Sequence, residues 1–482
     1  MTITKDAQPM FRGATAKTPQ KEVLASLALA MLLPSLGTSI ANVALPTFAE
    51  AFSASFQQVQ WVVLAYLLAT TTLIVGVGRM GDLLGRRRLL MAGITTFIVA
   101  SILASLAPRL ELLVAARALQ GVGAAIMMAL TMAMVSAVVP KARTGSAMGL
   151  LGTMSAIGTA LGPPLGGVLI AQFGWQSIFL VNFPLGILAL VLVRRSLPED
   201  VKAPSAAKSG FDTLGMVLLA LTLAAYALAV TIGRGHFGQL NALLMLAALV
   251  GLGMFLRTES RAASPLIRLA MLRDPVLGAS LAMSALVSTV MMATLVVGPF
   301  YLGLTLGLNT AAIGAVMSAG PIAAAFTGVP AGRIVDRVGA HRATTMGLVG
   351  MWVGCSGLAM LPESLGIAGY VVPIVVITSS YALFQAANNT AAMAEVSTET
   401  RGLVSGMLNL SRNLGLITGA SVMGAVFAMA SGTVAFASAD PAIIAAGMRT
   451  TFTVAVVVVL AAMVAAFTRQ SAAKSSPSDP RD

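Results

Sequence analysis

The residues able to move protons, hold a metal or attack a bond are few: two histidines, one cysteine and 17 carboxylates in 482 positions. His236 and His341 both fall in stretches predicted as loops, and Cys355 stands alone in an apolar run. A catalytic zinc needs three converging ligands and a nucleophile needs an adjacent base; neither spacing occurs, and a lone cysteine builds no disulfide framework. No cofactor motif accompanies them. Each carboxylate lies in a loop, in a tail or near the end of an apolar run. Glu111, at the start of one such run, comes nearest to a membrane interior and is the candidate proton site. The sequence is read as that of a non-enzyme with no metal and no cofactor, drawing at most on an ion gradient, protons included.

Two charges are placed differently. Arg117 and Arg412 sit within apolar runs, Arg412 ten residues beyond Gly402, which is roughly 15 Å along a helix and near the middle of a bilayer. A charge there costs at least ~2.5 kcal/mol on insertion scales and must face the bundle interior or a water-filled cavity. Either arginine can bind substrate or bridge helices through main-chain carbonyls. Asn42, Trp61, Tyr66, Gln120, Gln385, Asn388, Asn389 and Asn409 are further candidates for the lining of such a cavity. Gln385, Asn388 and Asn389 stand at i, i+3 and i+4, on one helical face. Polar residues inside bundles also serve as interhelical glue, so both roles stay open.

The elements that must position these groups are membrane helices. Hydrophobic residues make up 57% of the chain and charged residues 10%, against about a quarter charged in a soluble domain. Apolar stretches of ~20 residues recur throughout, and within lipid the backbone must satisfy itself as helix. Fourteen spans are predicted, near 23–45, 59–78, 89–107, 112–138, 146–170, 176–193, 213–232, 239–256, 276–302, 311–332, 343–361, 367–393, 404–429 and 449–467. With the N-terminus inside, 25 of the 30 Lys and Arg fall on the cytoplasmic side and only Arg109, Arg234 and Arg449 on the other, as the positive-inside rule requires. That rule also accounts for the net charge of +13 without nucleic acid. The expected location is the inner (plasma) membrane, multi-pass, with both termini cytoplasmic.

An internal repeat organises the spans. GRMGDLLGRRR at 78–88 matches GRIVDRVGAHR at 332–342 with a constant offset of 254, pairing Gly78 with Gly332, Asp82 with Asp336 and Gly85 with Gly339. Gly145, Gly149, Gly158 and Gly162 fall on Gly402, Gly406, Gly415 and Gly419 at an offset of 257. The predicted organisation is a tail at 1–22, a six-helix bundle at 23–195, a linker at 196–212, two inserted helices at 213–256, a linker at 257–275, a second bundle at 276–468 and a tail at 469–482.

Parallel six-helix halves around a cavity resemble the major facilitator architecture, and the motifs agree. GRMGDLLGRRR, with Gly78, Asp82, Gly85, Arg86 and Arg87, resembles that superfamily's signature loop; RALQGVG at 117–123 resembles its fourth-helix motif and GTALGPPLGG at 158–167 its fifth-helix antiporter motif. Fourteen spans together with NVALP, VQWVVLAYLL and SPLIRLAMLRDP resemble the fourteen-helix drug/proton antiporter family over nearly the whole chain. The resemblance implies an all-α integral membrane protein of major facilitator fold, two six-helix bundles plus two inserted helices. It implies a secondary active transporter that moves a small organic molecule by alternating access, most readily multidrug or metabolite efflux. Gating falls to Gly78, Asp82, Gly85, Arg86 and Asp336, and a hinge or sliding surface to Gly158, Gly162, Pro163, Pro164 and Gly167, where small residues allow close approach and Pro interrupts the helix.

The sequence departs from that family at two places. An Asp is usual where Gly37 stands, and an Arg where Gln176 stands. With no carboxylate predicted at mid-membrane, proton-coupled export of lipophilic cations is disfavoured, and neutral or anionic cargo is favoured. A facilitator or importer of a small neutral or anionic metabolite is the alternative within transport. A non-transporting sensor or scaffold is the alternative outside it, and would call for a soluble domain that this sequence does not contain. The expected partners are a small-molecule substrate and the lipid bilayer, with no nucleic acid, the protein acting as a monomer.

Overall fold

Apolar sequence with too little charge to face water folds here as helix after helix. The computed structural model describes residues 20–138, 144–197, 200, 213–232, 238–261, 274–360, 363–393, 401–432 and 440–475, and among them every regular element is helical. The first half comprises α1 (Gln20–Val43), α2 (Leu45–Ala51), α3 (Phe56–Leu84), α4 (Arg86–Ser105), α5 (Leu110–Val138), α6 (Thr144–Phe173), α7 (Ser177–Leu180) and α8 (Asn182–Ser196). A helical pair, α9 (Thr213–Thr231) and α10 (Gln239–Glu259), follows. The second half comprises α11 (Pro275–Phe300), α12 (Thr310–Met317), α13 (Ala319–Val338), α14 (Ala340–Ala359), α15 (Gly366–Met393), α16 (Arg401–Thr418), α17 (Gly424–Ser431) and α18 (Pro441–Ser475). Much of both expected linkers and both expected tails lies outside the described residues, as does the Gly233-Arg234-Gly235-His236 turn.

Twelve helices among the described residues are long and apolar enough to cross a membrane. Helices α3 and α14, of 29 and 20 residues, fall outside that set but pack inside the two halves. Helix α14 opens with His341 and Arg342 in its first turn. The partners of α3 and α14 are apolar helices, not lipid alone.

The packing repeats. In the first half α1 lies against α6 and α8, α3 against α5, and α4 against α5 and α8. In the second half α11 lies against α16 and α18, α13 against α15, and α14 against α15 and α18. Local backbone geometry repeats with it. Gly85 ends α3 at φ +95° and Gly339 ends α13 at φ +85°, conformations that disfavour any residue with a Cβ. Ser39 Oγ of α1 donates to the Gly158 carbonyl of α6 at 3.2 Å, and Thr289 Oγ1 of α11 donates to the Gly415 carbonyl of α16 at 3.1 Å. Pro163 and Pro164 interrupt α6, whereas a five-residue π turn, Gly419–Met423, stands at the equivalent height between α16 and α17. Both devices release main-chain carbonyls from the regular ladder.

Candidate functional site

The two halves meet along two seams. On one, α6 lies against α12: a Cβ on Gly167 would stand 2.6 Å from the Thr310 carbonyl and 3.1 Å from the Gly314 Cα. On the other, α3 lies against α16 and α17: Gln60 Nε2 donates to the Ala420 carbonyl at 2.9 Å. Phe56 of α3 also packs edge-on to Phe300 of α11, with ring centroids 4.8 Å apart, and tilted against Phe427 of α17 at 5.2 Å. Because α6 is the repeat of α16 and α3 of α13, the seams exchange under a pseudo-two-fold axis running between them. These contacts lie toward the end opposite the Arg86-Arg87-Arg88 turn. We term the turn's end the basic end and the other the far end. Toward the basic end, Gly78, Gly152, Gly332 and Gly406 of the same helices have nothing within 4 Å of where a Cβ would stand. Among the described residues, the far end is closed and the basic end is splayed.

A cleft with a cavity volume of ≈ 110 Å³ opens in the basic half, between α11, α15 and α16. Ser284, Gln385, Asn389, Asn409 and Arg412 supply its polar lining and Met393 and Leu408 its apolar part. Among the described residues, Arg412 Nε is buried with no hydrogen-bond partner, and none of the lining residues is a carboxylate. Four of the ten residues that the sequence singles out for a cavity thus come together: Gln385, Asn389, Asn409 and Arg412.

The other six are placed elsewhere. Arg117 is fully buried inside the first half. Its Nε donates to the Val62 carbonyl at 2.9 Å, its NH1 to the Gly37 carbonyl at 3.1 Å and to Gln120 Oε1, and its guanidinium lies 4.3 Å above the Tyr66 ring. Gln120 passes the chain on to Ser101 Oγ at 2.7 Å, and the Tyr66 hydroxyl donates to the Pro34 carbonyl at 2.9 Å. Main-chain carbonyls and one amide hold this cation. A Cβ at Gly37 would meet Phe97 Cζ at 3.0 Å, so the space beside Gly37 is filled. Asn42 is buried on α1 and donates to the Thr38 carbonyl one turn back. Trp61 Nε1 donates to Thr231 Oγ1 of α9 at 3.1 Å, so its indole faces the inserted pair.

Asn388 belongs to a second buried network, built around a residue that sequence reasoning missed. Charge sorting puts Arg469 in the C-terminal tail; instead α18 continues to Ser475 and Arg469 is buried in the bundle. Its NH1 donates to Ser280 Oγ at 3.3 Å and Asn388 Oδ1 at 3.1 Å, and its NH2 to Thr344 Oγ1 at 3.0 Å. Those neutral acceptors, from three other helices, are what let a charge remain inside at a span end.

Of the expected gating residues, Asp82's side chain lies outside the described residues, and Asp336 is exposed on α13. Arg86 NH1 donates to the Ala133 carbonyl of α5 at 3.4 Å. The carboxylate that caps α4 is Asp200, which the sequence did not single out: its oxygens accept from the Arg87 and Arg88 amides at 2.9 and 3.0 Å, and it stands over Gly85. Gly158 and Gly162 press α6 onto α1, and Pro163 presents its carbonyl to Gly314 across the seam. Glu111 is exposed in the first turn of α5, at the far end. One described carboxylate is buried, Glu259, at the last residue of α10.

Such an arrangement can solvate, bind and release a polar solute at the cleft, and among the described residues it assembles no group that could carry out bond chemistry. The family model described as "Major Facilitator Superfamily" matches residues 27–420. The multidrug resistance protein Stp of Mycobacterium tuberculosis (strain H37Rv) is 31% identical over 408 residues, spanning 84% of this chain and 75% of Stp. The riboflavin transporter RibZ of Clostridioides difficile (strain 630) is 29% identical over 406 residues, spanning 84% of this chain and 88% of RibZ. Among solved structures, a bacterial homologue of the human lysosomal transporter Spinster, inward-facing and unoccupied, superposes with a TM-score of 0.70 at 16% identity, covering 96% of this chain and 99% of that one.

Proposed function

The chain belongs to the major facilitator superfamily, and on that premise we propose that it exports a small organic molecule across the inner membrane by alternating access. It is a multi-pass membrane transporter and not an enzyme. The observation that carries the finer reading is the cleft at Arg412, which opens in the basic half while both seams are closed at the far end. We place the basic end in the cytoplasm, which puts both termini there and gives fourteen spans when α3 and α14 are counted. Rocking of the halves about the pseudo-two-fold axis would then part Gly167 from Gly314 and Gln60 from Ala420, and close the basic end.

Efflux is supported by relatives named for multidrug resistance, and the range of cargo by one named for riboflavin. A second reading, facilitated passage or import of a small neutral or anionic metabolite, is favoured by the carboxylate-free lining of the cleft, which offers a lipophilic cation no partner. Coupling to an ion gradient, and action as a monomer, complete the proposal. The test is accumulation in everted membrane vesicles from cells expressing the full chain. Riboflavin, ethidium and 2-naphthoate are supplied with an imposed ion gradient. Accumulation above empty-vector vesicles supports export, accumulation only in right-side-out vesicles supports the second reading, and none in either contradicts both.

A further inference from the structure

The cleft has a counterpart across the pseudo-two-fold axis, and the two differ in kind. The offset of 257 that relates α6 to α16 puts Gly152 opposite Asn409. The same offset relates α5 to α15, as the packing shows. Gly121 of α5 abuts Tyr66 of α3, and Thr378 of α15 stands 3.1 Å from where a Cβ on Gly320 of α13 would be. Tyr66 and Gly320 are 254 apart, the offset of the signature loop, and Gly121 and Thr378 are 257 apart. Gln385 and Asn389 therefore stand opposite Met128 and Met132. Met128 is half-buried, Met132 is exposed, and Gly152 is exposed with no described atom within 4 Å of where a Cβ would stand. On this register, the wall that carries Arg412 is cationic and amide-rich, and its repeat-related counterpart carries thioethers and open backbone.

Resting on the transport reading above, we propose that this space binds an amphiphilic organic anion, its carboxylate at Arg412 and its apolar body against Met128 and Met132. The guanidinium retains an unpartnered buried Nε and a planar donor edge suited to a carboxylate. Asn409, Gln385 and Asn389 provide neutral hydrogen-bonding groups beside it without competing charge. Methionine on the opposite wall conforms to apolar bodies of varied shape. A cation meets a positive wall with no carboxylate to offset it. A neutral molecule leaves the guanidinium without a counter-charge.

The test uses three probes with one aromatic body and three charges: 2-naphthoate, 2-naphthamide and 2-naphthylmethylammonium. Their flux into proteoliposomes of the full chain is measured above protein-free liposomes. We expect 2-naphthoate to be carried in preference. Arg412→Gln lowers its flux at least tenfold, Arg412→Lys retains a larger share, and Met132→Asn raises its half-saturation concentration several-fold. Monodisperse elution of each variant in size-exclusion chromatography shows that folding is intact; if Arg412→Gln aggregates, the Arg412→Lys and Met132→Asn results decide. Preferential carriage of the ammonium or the amide, or 2-naphthoate flux unchanged in Arg412→Gln, overturns the inference and leaves the transport reading standing. No flux of any probe contradicts both.

Discussion

The Arg117 guanidinium donates to the main-chain carbonyl of Gly37 at 3.1 Å. A buried cation in the first half is thus held by backbone oxygen at the position where the related antiporter family usually has an acidic side chain. With Val62 and Gln120 it ties α1, α3 and α5 together. Arg117→Ala should leave those acceptors without a donor, at about 1–3 kcal/mol for each group that stays buried and unsatisfied. We expect a pronounced drop in the apparent melting temperature of the purified protein, measured by thermal-shift size-exclusion chromatography. Stability equal to the parent would contradict a bridging role.

Arg469 makes the corresponding case in the second half. Arg469→Ala removes the donor shared by Ser280, Asn388 and Thr344, and should also destabilise by about 2–5 kcal/mol. Truncation of the chain after Val464 should have the same effect in the same assay. If both variants match the parent, the network contributes nothing.

Asp200 reaches the amides of Arg87 and Arg88 from beyond α8. Asp200→Ala should cost about 0.5–2 kcal/mol, the usual loss for a helix cap, and Asp200→Asn much less, because an amide oxygen still accepts. Thermal denaturation of the two variants side by side separates a hydrogen-bonded cap from a merely charged loop.

The inserted pair is bonded to both halves. Trp61 Nε1 donates to Thr231 of α9, and the Tyr226 hydroxyl of α9 donates to Thr418 of α16 at 3.2 Å. Helix α9 therefore spans the α3–α16 seam. Tyr226→Phe should cost about 0.5–1.5 kcal/mol and make the far end easier to open. Maleimide labelling of a cysteine placed at Ser421, in a Cys355→Ser background, should quicken when Tyr226→Phe is added. An unchanged rate would mean that the strut does not restrain the seam.

Glu111 is exposed at the far end of α5 and not at the cleft. Glu111→Gln should leave 2-naphthoate flux and its pH profile within twofold of the parent in proteoliposomes. A collapsed flux or a shifted profile would return this carboxylate to the coupling machinery.

The sequence made depth readable and left azimuth hidden. Apolar length set where helices run, and the spaced glycines marked α6 as a helix that approaches its neighbours closely. Gly158 and Gly162 do so against α1, and Gly167 against α12. Around a helix the reading was coarser. Gln385, Asn388 and Asn389 share a face by spacing, yet one residue is about 100° of rotation, enough to send Asn388 to Arg469 and Asn389 to the cleft. Arg117 and Arg412 have similar apolar surroundings in sequence, but only packing shows that one is held by two carbonyls and an amide and the other borders empty space. Arg469 was missed because a basic residue at the end of an apolar run has the pattern of a tail. Asp200 was missed because a cap formed by a residue 113 positions away in sequence has no local signature.

The central claim is that the far end must open for cargo to pass. Gln60 and Gly424 face each other across the α3–α17 seam. Replacing both with cysteine, in a Cys355→Ser background, allows them to be joined by a short bis-methanethiosulfonate. We expect 2-naphthoate flux in proteoliposomes to cease when the cross-link is complete and to recover on reduction. Flux that continues through a fully cross-linked protein would contradict transport by alternating access.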